Sequence, residues 1–353
     1  MADLSNVFRI EAARAAILSQ IAERDRDHPA DTPMFPWNLA VRAMSYVLSL
    51  PAEQLCSIRL HCDIFLGTHT GQTLFMNSDP SKGWVADHWR WLGEGVDPAL
   101  WALEPVIPAL GQSIGLQLPE GVVNDVTVDI QRYLCNLIRL GLRDDQHVVE
   151  IGAGYGGLAH AVLRARRVRY TIIDLPETLI YSAAFLLHHF PEKRAYIYQP
   201  GDEPSAANAA DLVFLPNYRA DWLVPCDVAV NTVSFPEMSR HALRAYIALL
   251  AERLAPQGYL MSVNYNGDRG DGLGVPEFIA EGLDAAPTVA QLKADLSLSD
   301  SEYAHILCRP TIVAGRKGED WIQRLHGVEL RDITLSRRLI TKFGSKNRVE
   351  WVP

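Results

Sequence analysis

Three closely spaced glycines and a neighbouring carboxylate give this sequence its clearest chemical pattern. The run VVEIGAGYGG, residues 148–157, predicts a buried strand, a tight turn and the start of a helix. Gly152, Gly154 and Gly156 let the backbone turn and let a ligand approach the main chain, where a Cβ atom would block it. The segment therefore predicts a ligand-binding loop between a strand and a helix.

The glycine spacing fits more than one kind of cofactor, and the charge of Glu150 distinguishes between them. Gly152, Gly154 and Gly157 also fit the GxGxxG pattern of nicotinamide and flavin dinucleotide sites. A pyrophosphate beside the Glu150 carboxylate would cost Coulomb energy. S-adenosylmethionine has no phosphate, and its cationic sulfonium and ammonium groups are favoured by a carboxylate. The charge therefore favours S-adenosylmethionine as the cofactor.

Asp174 ends the next predicted strand, 169–174, and provides a second carboxylate. At that position it can accept hydrogen bonds from both hydroxyls of a ribose. The same acid would serve a nicotinamide ribose, so it indicates an adenosine moiety rather than one cofactor. A structural alternative is a helix cap, because Asp174 and Glu177 have the spacing of a capping box. The two roles are compatible.

The elements that must position these groups alternate between strands and helices. This alternation predicts an α/β fold with a Rossmann-like, doubly wound parallel sheet. Strands are predicted at 146–151, 169–174, 195–199, 211–215, 227–231 and 258–264, and helices at 126–140, 176–189 and 239–254. Two further strands, at 304–308 and 311–315, are predicted to form a terminal hairpin.

Residues 1–120 lack this alternation and are predicted to form a mainly helical cap or substrate lid. Residues 121–315 form the predicted cofactor-binding domain, and 316–353 a basic tail. The cap carries a dense group of tryptophans that predicts either the floor of a substrate pocket or a packed surface between domains. These are Trp84, Trp89, Trp91 and Trp101.

Composition excludes several classes of function. The 353 residues are 48% hydrophobic and 21% charged, with a net charge of −9 and no long basic block, which disfavours a protein that grips nucleic-acid phosphate. Five cysteines without a CxxC pair predict reduced thiols and no zinc site or other metal site. The sequence contains neither a signal-peptide pattern nor about 18 consecutive apolar residues, so we expect a cytoplasmic protein without membrane contact.

The motifs EIGAGYGGLA, IIDLPETL and NTVSFPEM, with the order of strands around them, resemble class I S-adenosylmethionine-dependent methyltransferases. They are similar to a bacterial family of sugar O-methyltransferases, which azetidine-2-carboxylate synthases also resemble. The resemblance covers roughly residues 125–315. It implies a set of cofactor contacts: Glu150, Gly152, Gly154 and Gly156 at the methionine half, Asp174 at the ribose, Asn217 near the adenine and Asn231 beside the sulfonium.

Methyl transfer to a hydroxyl requires alignment of the acceptor and a route for its proton. Glu237 and His241 are candidate bases after the strand predicted at 227–231, and Asp268 and Asp271 lie in a glycine-rich loop after the strand predicted at 258–264. Each has an alternative. Ser234 and Glu237 have the spacing of a capping box, His241 also fits a solvent position, and the two aspartates could instead hold a divalent ion.

The main prediction is an O-methyltransferase that acts on a small polar molecule, such as a sugar or a secondary-metabolite hydroxyl. One alternative is cyclisation of the cofactor to azetidine-2-carboxylate, with release of methylthioadenosine. For that reaction Tyr155 could form an aromatic wall for the sulfonium, although packing under the cap is its other role. A second alternative is a non-catalytic cofactor-binding protein. The expected partner is a small-molecule substrate, and a homodimer is compatible with the sequence.

Overall fold

The computed structural model describes residues 4–31, 41–42, 44–62, 82–103, 116–119, 121–123, 125–264, 274–285 and 311–318, together with residues 325, 328, 330 and 331. The helices are α1 (Leu4–Asp27), α2 (Ala52–Leu55), α3 (Lys82–Gly93), α4 (Asp125–Arg139), α5 (Gly157–Ala165), α6 (Pro176–His189), α7 (Arg240–Arg253) and α8 (Val275–Gly282). Short 3₁₀ helices span Pro29–Asp31, Ser45–Ser49, Ile58–His61, Pro98–Leu100, Pro204–Ala207, Asn217–Trp222 and Phe235–Glu237.

The strands form one large sheet and one small hairpin. They are β1 (Leu116–Leu118), β2 (Gly121–Val123), β3 (His147–Ile151), β4 (Arg169–Asp174), β5 (Ala195–Ile197), β6 (Leu212–Pro216), β7 (Cys226–Thr232), β8 (Leu254–Val263), β9 (Leu283–Ala285) and β10 (Thr311–Arg316). The eight-stranded sheet has the order β5-β6-β4-β3-β7-β8-β10-β9, and β1 pairs with β2.

The large sheet is doubly wound, as predicted. Strands β5, β6, β4, β3, β7 and β8 run parallel, whereas β10 is antiparallel to both β8 and β9. The chain moves from β3 outward through β4 in one direction and then continues on the other side at β7. Ligands bind in open α/β sheets at the carboxyl edge of such a reversal. The predicted strand at 304–308 lies outside the described residues.

The sheet separates two hydrophobic cores because successive side chains of a strand point to opposite faces. Val148 and Tyr170 face the core beneath α4, α5 and α6. Val149 and Ile173 face the core beneath α7 and α8. All five residues of β3 are buried, as expected for a central parallel strand that is covered on both faces.

The first helix belongs to the same packing unit as the sheet. Ile10 and Ile17 of α1 lie in the core that contains Val148. Arg24 at the end of α1 donates two hydrogen bonds to the Glu177 carboxylate, at 2.7 and 2.8 Å, and both side chains are buried. The described part of residues 1–120 is therefore packed onto the cofactor-binding half without a break.

The described tryptophan contacts are packing contacts. Trp89 is fully buried, and its indole N–H donates to the Ala102 carbonyl at 3.0 Å. Its ring meets the ring of Trp101 edge to face, with the centroids 5.0 Å apart. The Trp84 side chain lies outside the described residues. In the part of the chain that the structure covers, no helix combines the length and hydropathy required to cross a bilayer.

The buried ion pair between Arg24 and Glu177 gives a stability prediction. Replacing one partner leaves an uncompensated buried charge, so Arg24→Met should lower the free energy of unfolding by about 3–5 kcal/mol. The double variant Arg24→Met/Glu177→Met should recover most of this loss, as measured by urea denaturation.

The matched control is Arg26→Met, because Arg26 forms an exposed pair with Asp27. It should leave the urea midpoint unchanged. A double variant no more stable than Arg24→Met alone would contradict the assignment of the loss to the unpaired charge.

Candidate functional site

The glycine loop joins β3 to α5 through three residues with positive φ. Gly152, Gly154 and Gly156 have φ values of 76°, 57° and 87°, a region that other residues rarely adopt. A Cβ atom at Gly152 would also overlap the Ser234 hydroxyl. The loop can therefore form only because glycine stands at these positions, and it lies at the carboxyl edge of the sheet.

Asp174, at the end of β4, is bound to this loop. Its carboxylate accepts hydrogen bonds from the backbone N–H of Gly154 at 3.2 Å and of Leu175 at 2.8 Å. Burial raises the pKa of Asp174 to about 7, although these N–H donors oppose the shift and the nearby Glu237 charge adds to it. The predicted capping box is wrong, because Leu175 caps α6 without a side-chain bond and Glu177 is bound by Arg24.

Glu150 lies one residue before the end of β3 and is only 1% exposed. The Tyr170 hydroxyl donates to its carboxylate at 2.7 Å. Burial raises the pKa of Glu150 to about 8, partly offset by this hydrogen bond and reinforced by the Asp174 charge. In the described part of the chain, no Lys or Arg side chain forms a salt bridge with either carboxylate. A cationic or hydrogen-bond-donating ligand would supply the charged or donating partner that these two carboxylates lack.

Asn231 connects the ends of β7 and β3. Its side-chain N–H₂ donates to the Ile151 carbonyl at 2.7 Å and to the Ser234 hydroxyl at 2.6 Å. Its side-chain oxygen accepts from the Phe235 N–H at 3.3 Å and from the Asn264 amide at 2.8 Å. The carboxamide is thus engaged within the protein, and its role toward cofactor or substrate stays a prediction.

The turn after β7 is held in an unusual conformation. Val233 has φ of 70°, which is rare for a β-branched residue, and its N–H donates to the Val263 carbonyl at 2.8 Å. Such conformations persist only where surrounding contacts impose them, and they concentrate at functional sites. The turn places Ser234 against the glycine loop, where its hydroxyl also donates to the Ile151 carbonyl at 3.1 Å.

Glu237 and His241 lie at the same edge but face outward. Glu237 ends a short 3₁₀ helix and is exposed, and His241 is exposed on the first turn of α7. The capping box predicted for Ser234 and Glu237 is wrong. Ser234 makes no side-chain cap bond, and Met238 after the 3₁₀ helix is extended. The helix α7 is capped instead by Ser239, whose side chain accepts from the Ala242 N–H at 3.1 Å.

Tyr155 points away from the turn after β7 and into the helix layer. It is buried, and its ring meets Phe185 edge to face with the centroids 5.2 Å apart. A Cβ atom on Gly157 would be too close to its hydroxyl. Together with Thr127 and His160 it lines a small cavity beside α4 and α5. These contacts support the packing alternative for Tyr155.

Asn217 follows β6, next to the end of β4, since Pro216 pairs with Asp174 in the sheet. Its side-chain amide donates to the Asp31 carbonyl at 3.2 Å. Its side-chain oxygen is buried and has no hydrogen-bond partner in the described structure. It therefore offers an acceptor one strand away from Asp174, which fits the exocyclic amine of an adenine. Asp268 and Asp271 lie outside the described residues.

Sequence reasoning missed Tyr170 and Asn264. Glu150 pairs with Ile172 in the sheet register, so Tyr170, two residues earlier, lies on the same face. Strand alternation could have indicated that contact. The Asn264 contact with Asn231 joins residues 33 positions apart, and no local pattern signals it.

No protein-family model and no curated protein matches the chain. Among solved structures, it is similar to Haemonchus contortus phosphoethanolamine N-methyltransferase 2, at 12% identity and a TM-score of 0.34 over 52% of each chain. It thus spans about half the length of that protein. It is also similar to the N-methyltransferase NodS of Bradyrhizobium japonicum (15% identity, TM-score 0.33, 53% of this chain and 94% of that one) and to the glycopeptide N-methyltransferase MtfA (14%, 0.36, 54% and 90%). The order of strands in the sheet itself defines the fold.

The raised pKa of Glu150 gives a prediction for stability against pH. The folded state holds a proton that the unfolded chain releases near pH 4.5, so stability from this group falls as pH rises from about 4.5 to about 8. Glu150→Gln removes the cost of a buried charge. Its melting temperature should therefore exceed that of the wild type by several °C at pH 9, with little difference at pH 5.

Calorimetric melting of both proteins in the same buffers measures this effect. Equal melting temperatures at pH 9 would contradict the assignment of a buried, unpaired carboxyl group to Glu150.

Proposed function

We propose that this chain binds S-adenosylmethionine at the carboxyl edge of its sheet and transfers the methyl group to a hydroxyl of a small polar molecule. The observation that carries the proposal is the pair Glu150 and Asp174. These two carboxylates lack a salt-bridge partner among the described residues, and they flank the glycine loop at the carboxyl edge of the sheet. A ligand that combines cationic groups with a ribose fits this arrangement.

The charge pattern favours this cofactor over a dinucleotide. A pyrophosphate at the glycine loop would lie near Glu150, Asp174 and the Glu237 charge that already raises the pKa of Asp174. Two further negative charges in a desolvated site would be strongly unfavourable. The sulfonium and ammonium groups of S-adenosylmethionine would instead stabilise the ionised carboxylates.

The adenosine half of the cofactor fits the ends of β4 and β6. Adjacent strands lie about 4.8 Å apart, so the Asp174 carboxylate and the Asn217 side-chain oxygen offer acceptors at neighbouring positions. In this proposal Asp174 binds the ribose hydroxyls, and Asn217 accepts from the adenine amine. The Asp31 carbonyl accepts from the Asn217 amide, and the Asn217 side-chain oxygen has no partner among the described residues.

When bound, S-adenosylmethionine supplies a methyl group that is already activated by the sulfonium. The protein must align an acceptor oxygen, exclude water and accept a proton. The acceptor O–CH₃ bond forms as the S–CH₃ bond breaks, the electron pair of that bond stays on sulfur, and the hydroxyl proton leaves. Glu237 and His241 are the proposed proton acceptors, since both lie just after β7 at this edge.

Loss of the Asp174 carboxylate should weaken cofactor binding. Asp174→Ala removes charge-assisted hydrogen bonds to the ribose, and we expect a loss of about 1–3 kcal/mol in binding free energy by titration calorimetry. The matched control is Asp144→Ala. Asp144 pairs with Arg167 before the start of β3, at the opposite edge of the sheet, and this variant should bind as the wild type does. Unchanged affinity in Asp174→Ala would refute the ribose assignment.

The reaction itself is tested by mass spectrometry of the purified protein with S-adenosylmethionine. We expect adenosylhomocysteine and a methylated product only when a hydroxyl acceptor is added. Methylthioadenosine formed without an acceptor would contradict methyl transfer and support cyclisation to azetidine-2-carboxylate. Cofactor that is bound but unchanged with every acceptor would support a binding protein.

A further inference from the structure

Asn264 carries a buried amide oxygen that the described structure leaves without a partner. The residue follows β8 at the carboxyl edge of the sheet and is 3% exposed. Its side-chain amide donates to the Asn231 oxygen at 2.8 Å and to the Ser262 hydroxyl at 2.7 Å. Its Oδ1 atom has no hydrogen-bond partner in the described part of the protein.

The surrounding hydrogen bonds fix which side-chain atom of Asn264 is the oxygen. The Phe235 N–H can only donate and the Ile151 carbonyl can only accept, so the orientation of the Asn231 carboxamide between them is determined. The Asn231 oxygen in turn requires a donor from Asn264. The N–H₂ group of Asn264 must therefore face Asn231, and its oxygen is the unpaired atom.

An unpaired buried carbonyl lowers stability, and native proteins keep few of them. The neighbouring Asn231 carboxamide is fully hydrogen-bonded, because its N–H₂ group donates two hydrogen bonds and its oxygen accepts two. Asn264 and Asn217 each present a buried oxygen without a donor among the described residues, at the edge where the ligand is expected, which indicates that the ligand supplies the donors.

The position of β8 indicates which ligand this is. The proposed cofactor extends from β6 and β4 across the loop after β3. Strands are spaced at about 4.8 Å, so the end of β8 lies roughly 10 Å beyond the end of β3, on the side away from Asp174. A group bound there lies past the methionine half of the cofactor, where a molecule receiving the methyl group must approach.

We propose that Asn264 Oδ1 accepts a hydrogen bond from the hydroxyl group that becomes methylated. This assignment rests on the proposed function and names the contact that orients its acceptor. A neutral amide oxygen is too weak a base to take the proton, so Asn264 aligns the acceptor oxygen. The methyl group passes from sulfur to that oxygen, and the hydroxyl proton leaves to Glu237 or His241. Asn231 acts indirectly, because it holds the Asn264 amide in place.

The test uses the full chain with S-adenosylmethionine and a defined acceptor panel of glucose, galactose, rhamnose, inositol and glycerol. Asn264→Ala removes the acceptor oxygen and should lower kcat/KM for the methylated panel member at least tenfold. The affinity for S-adenosylmethionine, measured by calorimetry, should stay within twofold. Asn264→Val is prepared in parallel because it fills the same space without an acceptor atom.

Two matched variants separate this contact from a structural effect. Asn264→Asp keeps an acceptor oxygen but loses the donor to Asn231, so its kcat/KM should lie between those of the wild type and Asn264→Ala. Ser262→Ala removes the other partner of the Asn264 amide but keeps the unpaired Asn264 oxygen. Its KM should stay within twofold of the wild-type value.

Three results would overturn the inference. Equal kcat/KM in the wild type and Asn264→Ala would remove Asn264 from the acceptor site and leave the proposed function standing. Equal losses in Asn264→Ala, Asn264→Val and Asn264→Asp would indicate a purely structural role. Cofactor binding without any methylated panel member in the wild type would overturn the proposed transfer to such hydroxyls, and the inference with it.

Discussion

The placement of a buried and a half-buried carboxylate at the ends of adjacent parallel strands is the constraint on which this site depends. Glu150 and Asp174 lose hydration where β3 and β4 end, and the described protein offers them hydrogen-bond donors but no salt bridge. The glycine loop provides one of these donors, because the backbone N–H of Gly154 donates a hydrogen bond to the Asp174 carboxylate. In the proposed function, a ligand with positive charge and hydroxyl groups offsets this cost.

A web of carboxamide and hydroxyl groups holds the other side of this edge. Asn231 binds the end of β3 through the Ile151 carbonyl, the turn after β7 through Ser234 and Phe235, and the end of β8 through Asn264. Because each contact fixes the orientation of the next, the three strand ends form a rigid unit. Rigid positioning of this kind suits a reaction whose main demand is alignment.

The first helix supports the adenine side in a comparable way. Arg24 binds Glu177 at the start of α6, three residues after Asp174, and the segment that follows α1 brings the Asp31 carbonyl to Asn217. Glu23 adds a second contact, because it accepts hydrogen bonds from Tyr198, Tyr218 and Arg219 near β5 and β6. The N-terminal region thus contributes to the frame of the proposed cofactor site.

The sequence by itself determined the doubly wound sheet, the glycine loop and the placement of Glu150 and Asp174 at strand ends, because periodicity and glycine spacing are local. It could not decide between helix caps and other contacts. Glu177 has the spacing of a cap but binds Arg24, 153 residues away, and Ser234 turns to the Ile151 carbonyl. Tyr155 packs on Phe185 and Asn264 binds Asn231, and both partners are distant in the chain. Only the tertiary structure determines which partner a polar side chain meets, since burial makes an unpaired polar group costly and the nearest partner in space prevails.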